Sequence, residues 1–174
     1  MRLKALLLVS ILLLLVPAGR GAARQADLQT GQSPICFWSD GGPVCVERSI
    51  GLSAAGVPDA RALLAALLAG PTSQERARGL WSAIPEGTTL DGVDVSPDLT
   101  VVVRLNVPPE ALGRSAGSLD PMIHEIIVEQ IGGTLEPLHW RDLRIQTRDP
   151  ATGAFVSLAD FLPEMPAPRK DLTP

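Results

Sequence analysis

Leu99-Thr100-Val101-Val102-Val103-Arg104-Leu105-Asn106 is the stretch that decides the fold. Leu99, Val101, Val103 and Leu105 alternate with Thr100, Val102, Arg104 and Asn106, so a strand here has one strongly apolar face and one mixed face. A sheet with such a face needs helices over it, and the chain supplies two. Upstream, Val57–Ala69 reads as a helix with Pro58 and Asp59 in its first turn. Leu63, Leu64, Leu67 and Leu68 form its stripe, and Gly70-Pro71 ends it. Downstream, Asp120 before Pro121 starts a second helix, in which Met122/Ile126 and Ile123/Ile127/Ile131 make the buried face. Gly132-Gly133 is expected to stop it.

The remaining segments fall into place around these three. Val93 and Val95 flank Asp94 as a short strand, and Ser96-Pro97-Asp98 turns the chain into the next. Leu143, Ile145 and Thr147 alternate with Asp142, Arg144, Gln146 and Arg148 in a last strand. Thr72–Trp81 is a polar, single-turn helical piece, and Glu110–Ser118 reads as a loop. Phe155–Leu162 carries apolar groups expected to fold back on the domain. The order is β-hairpin, α, β, β, α, β. That is an α+β fold: a mixed sheet with two helices on one face.

Among 174 residues, 45% are hydrophobic, which suits one globular core. Residues 1–23 hold Arg2, Lys4 and Arg20 and no acid, so the rest carries 12 basic against 19 acidic groups. That balance excludes a phosphate-backbone binder and gives no reason to expect nucleic acid as a partner. Arg2 and Lys4 precede the apolar run Ala5–Val16, which is shorter than the roughly 20 residues of a bilayer span. Its length fits a secretory signal. Residues 1–23 are therefore expected to be a signal peptide cut after Ala23, with a cut after Ala18 or retention as an anchor as alternatives. Residues 24–33 form a short leader, 34–162 the domain, and 163–174, with four prolines, a flexible tail. Localisation is secreted or extracytoplasmic, with no integral membrane span after processing.

Cys36 and Cys45 flank Ser39-Asp40-Gly41-Gly42-Pro43, a turn-forming sequence inside a hairpin. Two thiols facing each other across that hairpin form a disulfide in an oxidising compartment. They lack the Cys-x-x-Cys spacing of a redox pair, and two thiols alone do not complete a zinc site.

Catalytic motifs fail on context. Gly113-Arg114-Ser115-Ala116-Gly117 has the spacing of a nucleophile elbow, but Pro108-Pro109-Glu110 stands where the feeding strand is needed. His124-Glu125 begins a zinc motif whose second histidine position is Val128. Asp91-Gly92-Val93-Asp94 lacks the offsets of a calcium loop, and no glycine-rich phosphate cradle follows a strand. No metal and no cofactor is expected. Glu86, Asp91, Asp94 and Asp98 read as a solvated acidic face.

Residues Leu63–Arg148 resemble the GerMN domain, the module of bacterial sporulation and spore-germination proteins. The resemblance rests on Leu64-x-x-Leu67-Leu68-x-Gly70-Pro71 and on Gly79-Leu80-x-x-Ala83-Ile84-Pro85-x-Gly87-Thr88-x-Leu90. Val93-x-Val95, Val101–Asn106 and Gln130-Ile131-x-x-Thr134-Leu135 follow in the family's order. Three positions depart from it. Arg104 stands where members often carry Asp, Cys36-Phe37 replaces Tyr-Phe, and Gly132-Gly133 interrupts a stretch that is normally apolar. Gly70, Pro71, Ile84, Pro85 and Gly87 are structural in this pattern: they end a helix and set the path into the next strand.

The resemblance implies a secreted or envelope-attached, non-catalytic module that packs against other envelope proteins. Partners would be envelope or secreted proteins, with the cell wall as a further candidate. A small secreted cell-wall hydrolase is the alternative, and it would need acids, or Ser115 and a histidine, converging in a pocket. Two helices cover one sheet face only, so the opposite face is the candidate interaction surface: Thr100, Val102, Arg104 and Asn106 with Arg144 and Gln146.

Overall fold

The computed structural model describes residues 29–112 and 119–162. Strands β1 (Thr30–Ser39) and β2 (Gly42–Gly51) form the hairpin, with Cys36 opposite Cys45 and Phe37 opposite Val44. Cys36 and Cys45 are joined by a disulfide. The hairpin stands as its own two-stranded sheet. The mixed sheet has four strands in the order β3 (Thr89–Val95), β4 (Thr100–Asn106), β5 (Asp142–Arg148) and β6 (Phe155–Ser157). β4 and β5 pair in parallel; both outer pairs are antiparallel. A parallel pair needs a long crossover, and the chain from Val107 to Arg141 provides it.

Helix α1 (Ala60–Leu68) begins later than the apolar spacing implies. The Asp59 carboxylate accepts from the Ala62 N–H at 2.8 Å, which caps the helix and leaves Val57–Asp59 outside it. Leu63, Leu64 and Leu67 are buried, and Gly70, at φ 74°, turns the chain away. α2 (Ser73–Arg76) is a single turn closed by a capping box between Thr72 and Glu75. α3 (Pro109–Leu112) occupies the start of the expected loop.

Helix α4 (Pro121–Leu135) is capped by Asp120 as expected, but it runs through Gly132-Gly133 instead of stopping there. The two glycines serve packing. A Cβ on Gly133 would lie 3.0 Å from the Cys36 Sγ, and one on Gly132 would lie 3.1 Å from the Trp140 ring. The Trp140 indole also donates to the Gly132 carbonyl at 3.1 Å. Met122 departs as well: it is 67% exposed, whereas Ile126, Ile127 and Ile131 are buried. Leu99 leaves the apolar face of β4, because the tight turn from Ser96 to Thr100 holds it at φ 65°.

The core joins Ile35, Phe37 and Ile50 of the hairpin to the leucines of α1, to Val101, Val103 and Leu105 of β4, and to the isoleucines of α4. Leu158 and Phe161, in a 3-10 turn after β6, fold back into it.

Around Cys36 and Trp38 the outer edge of β1 is sealed by side chains of α4 and by a backbone bridge to Trp81. Cys36 donates its N–H to the Thr134 hydroxyl at 3.0 Å, and its carbonyl accepts from the Gln130 amide at 3.4 Å. Gln130 in turn accepts from the Ala83 N–H at 2.8 Å. Trp38 exchanges both backbone bonds with Trp81, at 2.9 and 2.8 Å. Pro34, next in that alternation, has no N–H to leave unpaired, and Gln32 and Thr30 beyond it are exposed to solvent. Gln130 and Thr134 are thus buried polar groups whose hydrogen bonds tie α4 to the hairpin.

Candidate interaction surface

Both long helices lie on the inner side of the four-stranded sheet, so its outer face is built from every second residue of its strands. The register sets Arg104 beside Gln146, Val102 beside Arg144, and Gln146 beside Ser157. Asn106 is exposed at the end of β4, opposite Thr89. The face therefore brings the six expected residues onto two adjacent strands.

Its arginines are held in place. Arg104 pairs with Asp94 at 2.7 Å, Arg148 with Asp91 at 3.2 Å, and Arg144 with Asp142 at 2.8 Å. A register shift between Leu90 and Gly92 sets Asp91 out of the ladder. Gly92 leaves open the space beside the Arg104 guanidinium, which a Cβ would approach to 2.9 Å. The Phe155 ring lies under Arg148 at 4.4 Å, with Arg104 at 6.0 Å. Asp91 and Asp94, read from sequence as part of an acidic face, are neutralised here by arginines. Arg148 and Phe155 also belong to the surface, beyond the residues expected from the sequence. Arg148 continues the period of Arg144 and Gln146 and could have been found from it; Phe155 arrives by a strand pairing that no local pattern shows.

The structural residues of the motif sit at turns. Pro71 is buried, and its carbonyl accepts from the Arg76 guanidinium. Ile84 is in the core, and Gly87, at φ 84°, lies in the turn where the Thr88 N–H reaches the Pro85 carbonyl.

Glu75 was not singled out in the sequence, although Thr72-x-x-Glu75 has the spacing of a capping box. Its carboxylate takes two bonds from Arg48 of β2, at 2.7 and 2.6 Å, and one from the Thr72 N–H. The Arg48 hydrogen bond is the main reason its pKa is lowered to about 2.

Ser115 lies outside the described residues. His124 lines a groove of about 280 Å³ between α4 and β5, with Val128, Leu143, Arg144, Ile145 and Gln146. Burial lowers the pKa of its imidazole. Among the described residues, no carboxylate lines that groove. His139 is exposed beyond the end of α4. Among the described residues there is no group of three or more His, Cys, Asp or Glu able to hold a metal, and no helix long and apolar enough to cross a membrane.

Hairpin, paired helices and mixed sheet define a small α+β domain of GerMN type. The chain belongs to the Germane family, described as sporulation and spore germination, whose model matches residues 35–146. Among solved structures it is similar to the tandem GerMN domains of the sporulation protein GerM from Bacillus subtilis. That match has 16% identity and a TM-score of 0.47, covering 83% of this chain and 52% of that one. The first GerMN domain of the same protein matches at 18% identity and TM-score 0.44, covering 78% and 98%. A putative lipoprotein from Clostridium perfringens matches at 15% and 0.39, covering 69% and 76%. This chain spans about half the length of the tandem-domain structure. The comparison with curated proteins finds no match.

Proposed function

We propose that this chain is an extracytoplasmic, non-catalytic GerMN-like module that contacts envelope or secreted proteins through the outer face of its four-stranded sheet. The observation that carries the reading is the organisation of that face. Arg104, Arg148 and Phe155 are fixed by Asp94 and Asp91, so a partner meets side chains that are already ordered and loses little entropy in fixing them. The link to sporulation or germination comes from the family, and export from the basic and apolar N-terminal stretch.

Site-specific photo-crosslinking in the native envelope tests it. A crosslinker at Asn106 or Gln146 should capture a defined protein, while one at Arg61, on the exposed side of α1, should not. Equal capture from all three positions, or none from the sheet, would overturn the reading.

A further inference from the structure

Free strand edges invite pairing, and this chain blunts most of its own. β1 is covered around Cys36 and Trp38 and carries Pro34 beyond them. β3 has the register shift between Leu90 and Gly92, with Asp91 inside it, and β6 is three residues long. β2 differs. Its pairing with β1 runs from Thr30↔Gly51 to Ser39↔Gly42 without a shift.

The direction of its free backbone groups follows from Cys36. The Cys36 N–H donates to Thr134 and its carbonyl accepts from Gln130, both away from β2. Opposed residues of an antiparallel pair exchange both bonds or neither, so Cys45, opposite Cys36, also turns its N–H and carbonyl away from β1. By the period of two, Glu47, Ser49 and Gly51 do the same. Gly51 bears this out, since its carbonyl accepts from the Asp59 N–H at 3.1 Å. Cys45, Glu47 and Ser49 are exposed, and among the described residues no backbone group pairs with them on that side.

We propose that this edge is a two-fold interface, on which β2 of a second copy pairs antiparallel about an axis through Val46. Cys45 then exchanges both backbone bonds with the partner's Glu47, and Ser49 donates to the carbonyl of the partner's Pro43. Proline, which has no N–H, is asked only to accept. Val46 meets the partner's Val46, a β-branched pair. Val44, 38% exposed, meets the stem of the partner's Arg48, a residue whose charge Glu75 already holds at 2.6 Å.

The register is what selects a second copy as the occupant. An axis moved to Glu47 sets two carboxylates directly opposite each other, which is destabilising. Moved to Cys45, it runs Ser49 against Gly41 in the hairpin turn. An axis between residues opposes outward-facing groups to inward-facing ones and makes no ladder. Pairing of two identical edges uses up both and closes at two copies. The Cys45–Ser49 stretch is short, so the dimer is weak and concentration-dependent. It lies on the hairpin, apart from the four-stranded sheet, and does not rest on what the outer sheet face binds.

Sedimentation velocity of the exported protein from micromolar to millimolar concentration should show a reversible monomer–dimer equilibrium. Glu47→Pro removes an N–H that β1 does not use and should weaken dimerisation about thirtyfold, through two backbone bonds lost by symmetry. Glu47→Ala keeps the N–H and should dimerise at least as well as the parent. The register has its own test, independent of how the proline variant folds. Glu47→Cys places the new thiols diagonally across the axis, roughly 7–8 Å apart at the backbone, where a short bismaleimide should join them. Ser49→Cys places them about 20 Å apart, beyond its reach. Asn106→Glu/Arg144→Glu should dimerise like the parent, so a failure here and a failure of the sheet-face reading are told apart. A monomer at millimolar concentration, a dimer that Glu47→Pro leaves intact, or equal crosslinking at positions 47 and 49 would overturn the proposal. So would a Glu47→Cys crosslink that, in the native envelope, joins only a different protein.

Discussion

At the outer edge of β1, polar side chains turn inward and are consumed; on the outer face of β4 and β5 they turn outward and stay available. Gln130 and Thr134 spend their hydrogen bonds on Cys36 and Ala83, with almost no exposure to water. Arg104, Arg144 and Arg148 form ion pairs that remain partly exposed. The first set fixes how the hairpin sits on α4, since each buried backbone group left without its partner would cost on the order of 1–3 kcal/mol. The second set contributes little to stability, because exposed pairs are each worth about 0–1 kcal/mol. Polarity in an amphipathic pattern therefore has two meanings in this chain, and only the tertiary partner tells them apart.

The comparison can be broken first at its strong end. Gln130→Leu removes a donor and an acceptor at once, leaving the Ala83 N–H and the Cys36 carbonyl unpaired. We expect a loss of about 3 kcal/mol, read by chemical denaturation, while the outer face keeps its partners. Next comes the disulfide. Cys36→Ser with Cys45→Ser should cost about 2–3 kcal/mol, and the mature protein should show no free thiol until it is reduced.

The Arg48–Glu75 pair, which ties β2 to α2, is a smaller effect with a pH signature. Glu75 titrates at about 2 in the folded chain against an ordinary value of 4.5. The unfolded state then binds more protons between these values, so stability rises with pH across that window. The contribution is complete above about pH 4.5 and is lost as pH falls toward 2. Glu75→Gln should cost about 2 kcal/mol at neutral pH and flatten the acid decline in that interval. An unchanged acid limb would show that the pair contributes nothing.

Much of this was legible in the sequence, and the gaps have a common cause. The β4 alternation, the α1 stripe and the Asp120 cap are local signals, and all three elements form where those signals stand. The hairpin with its facing cysteines was readable from turn chemistry between apolar flanks. Gly132-Gly133 reads locally as a stop, but its reason is packing against Cys36, distant in sequence, and against the neighbouring Trp140. Leu99 fitted the alternation, yet turn closure outweighs burial for the first residue after Asp98. On the outer face, Arg104, Asn106, Arg144 and Gln146 followed from period alone. Phe155 and the acids that hold the arginines depended on strand order, which no single segment encodes.

The smallest stability effect carries the functional claim. Asn106→Glu/Arg144→Glu changes two exposed positions on the outer face and leaves the Arg104–Asp94 pair intact. Arg144 is 65% exposed, so the change should stay within about 0.5 kcal/mol of the parent. Crosslinking and co-purification from the native envelope, run beside a melting curve, is the direct measurement. The account predicts an unchanged melting temperature and loss of the captured partner. Partners that survive the double substitution, together with a hydrolytic activity that Ser115→Ala abolishes, would contradict it.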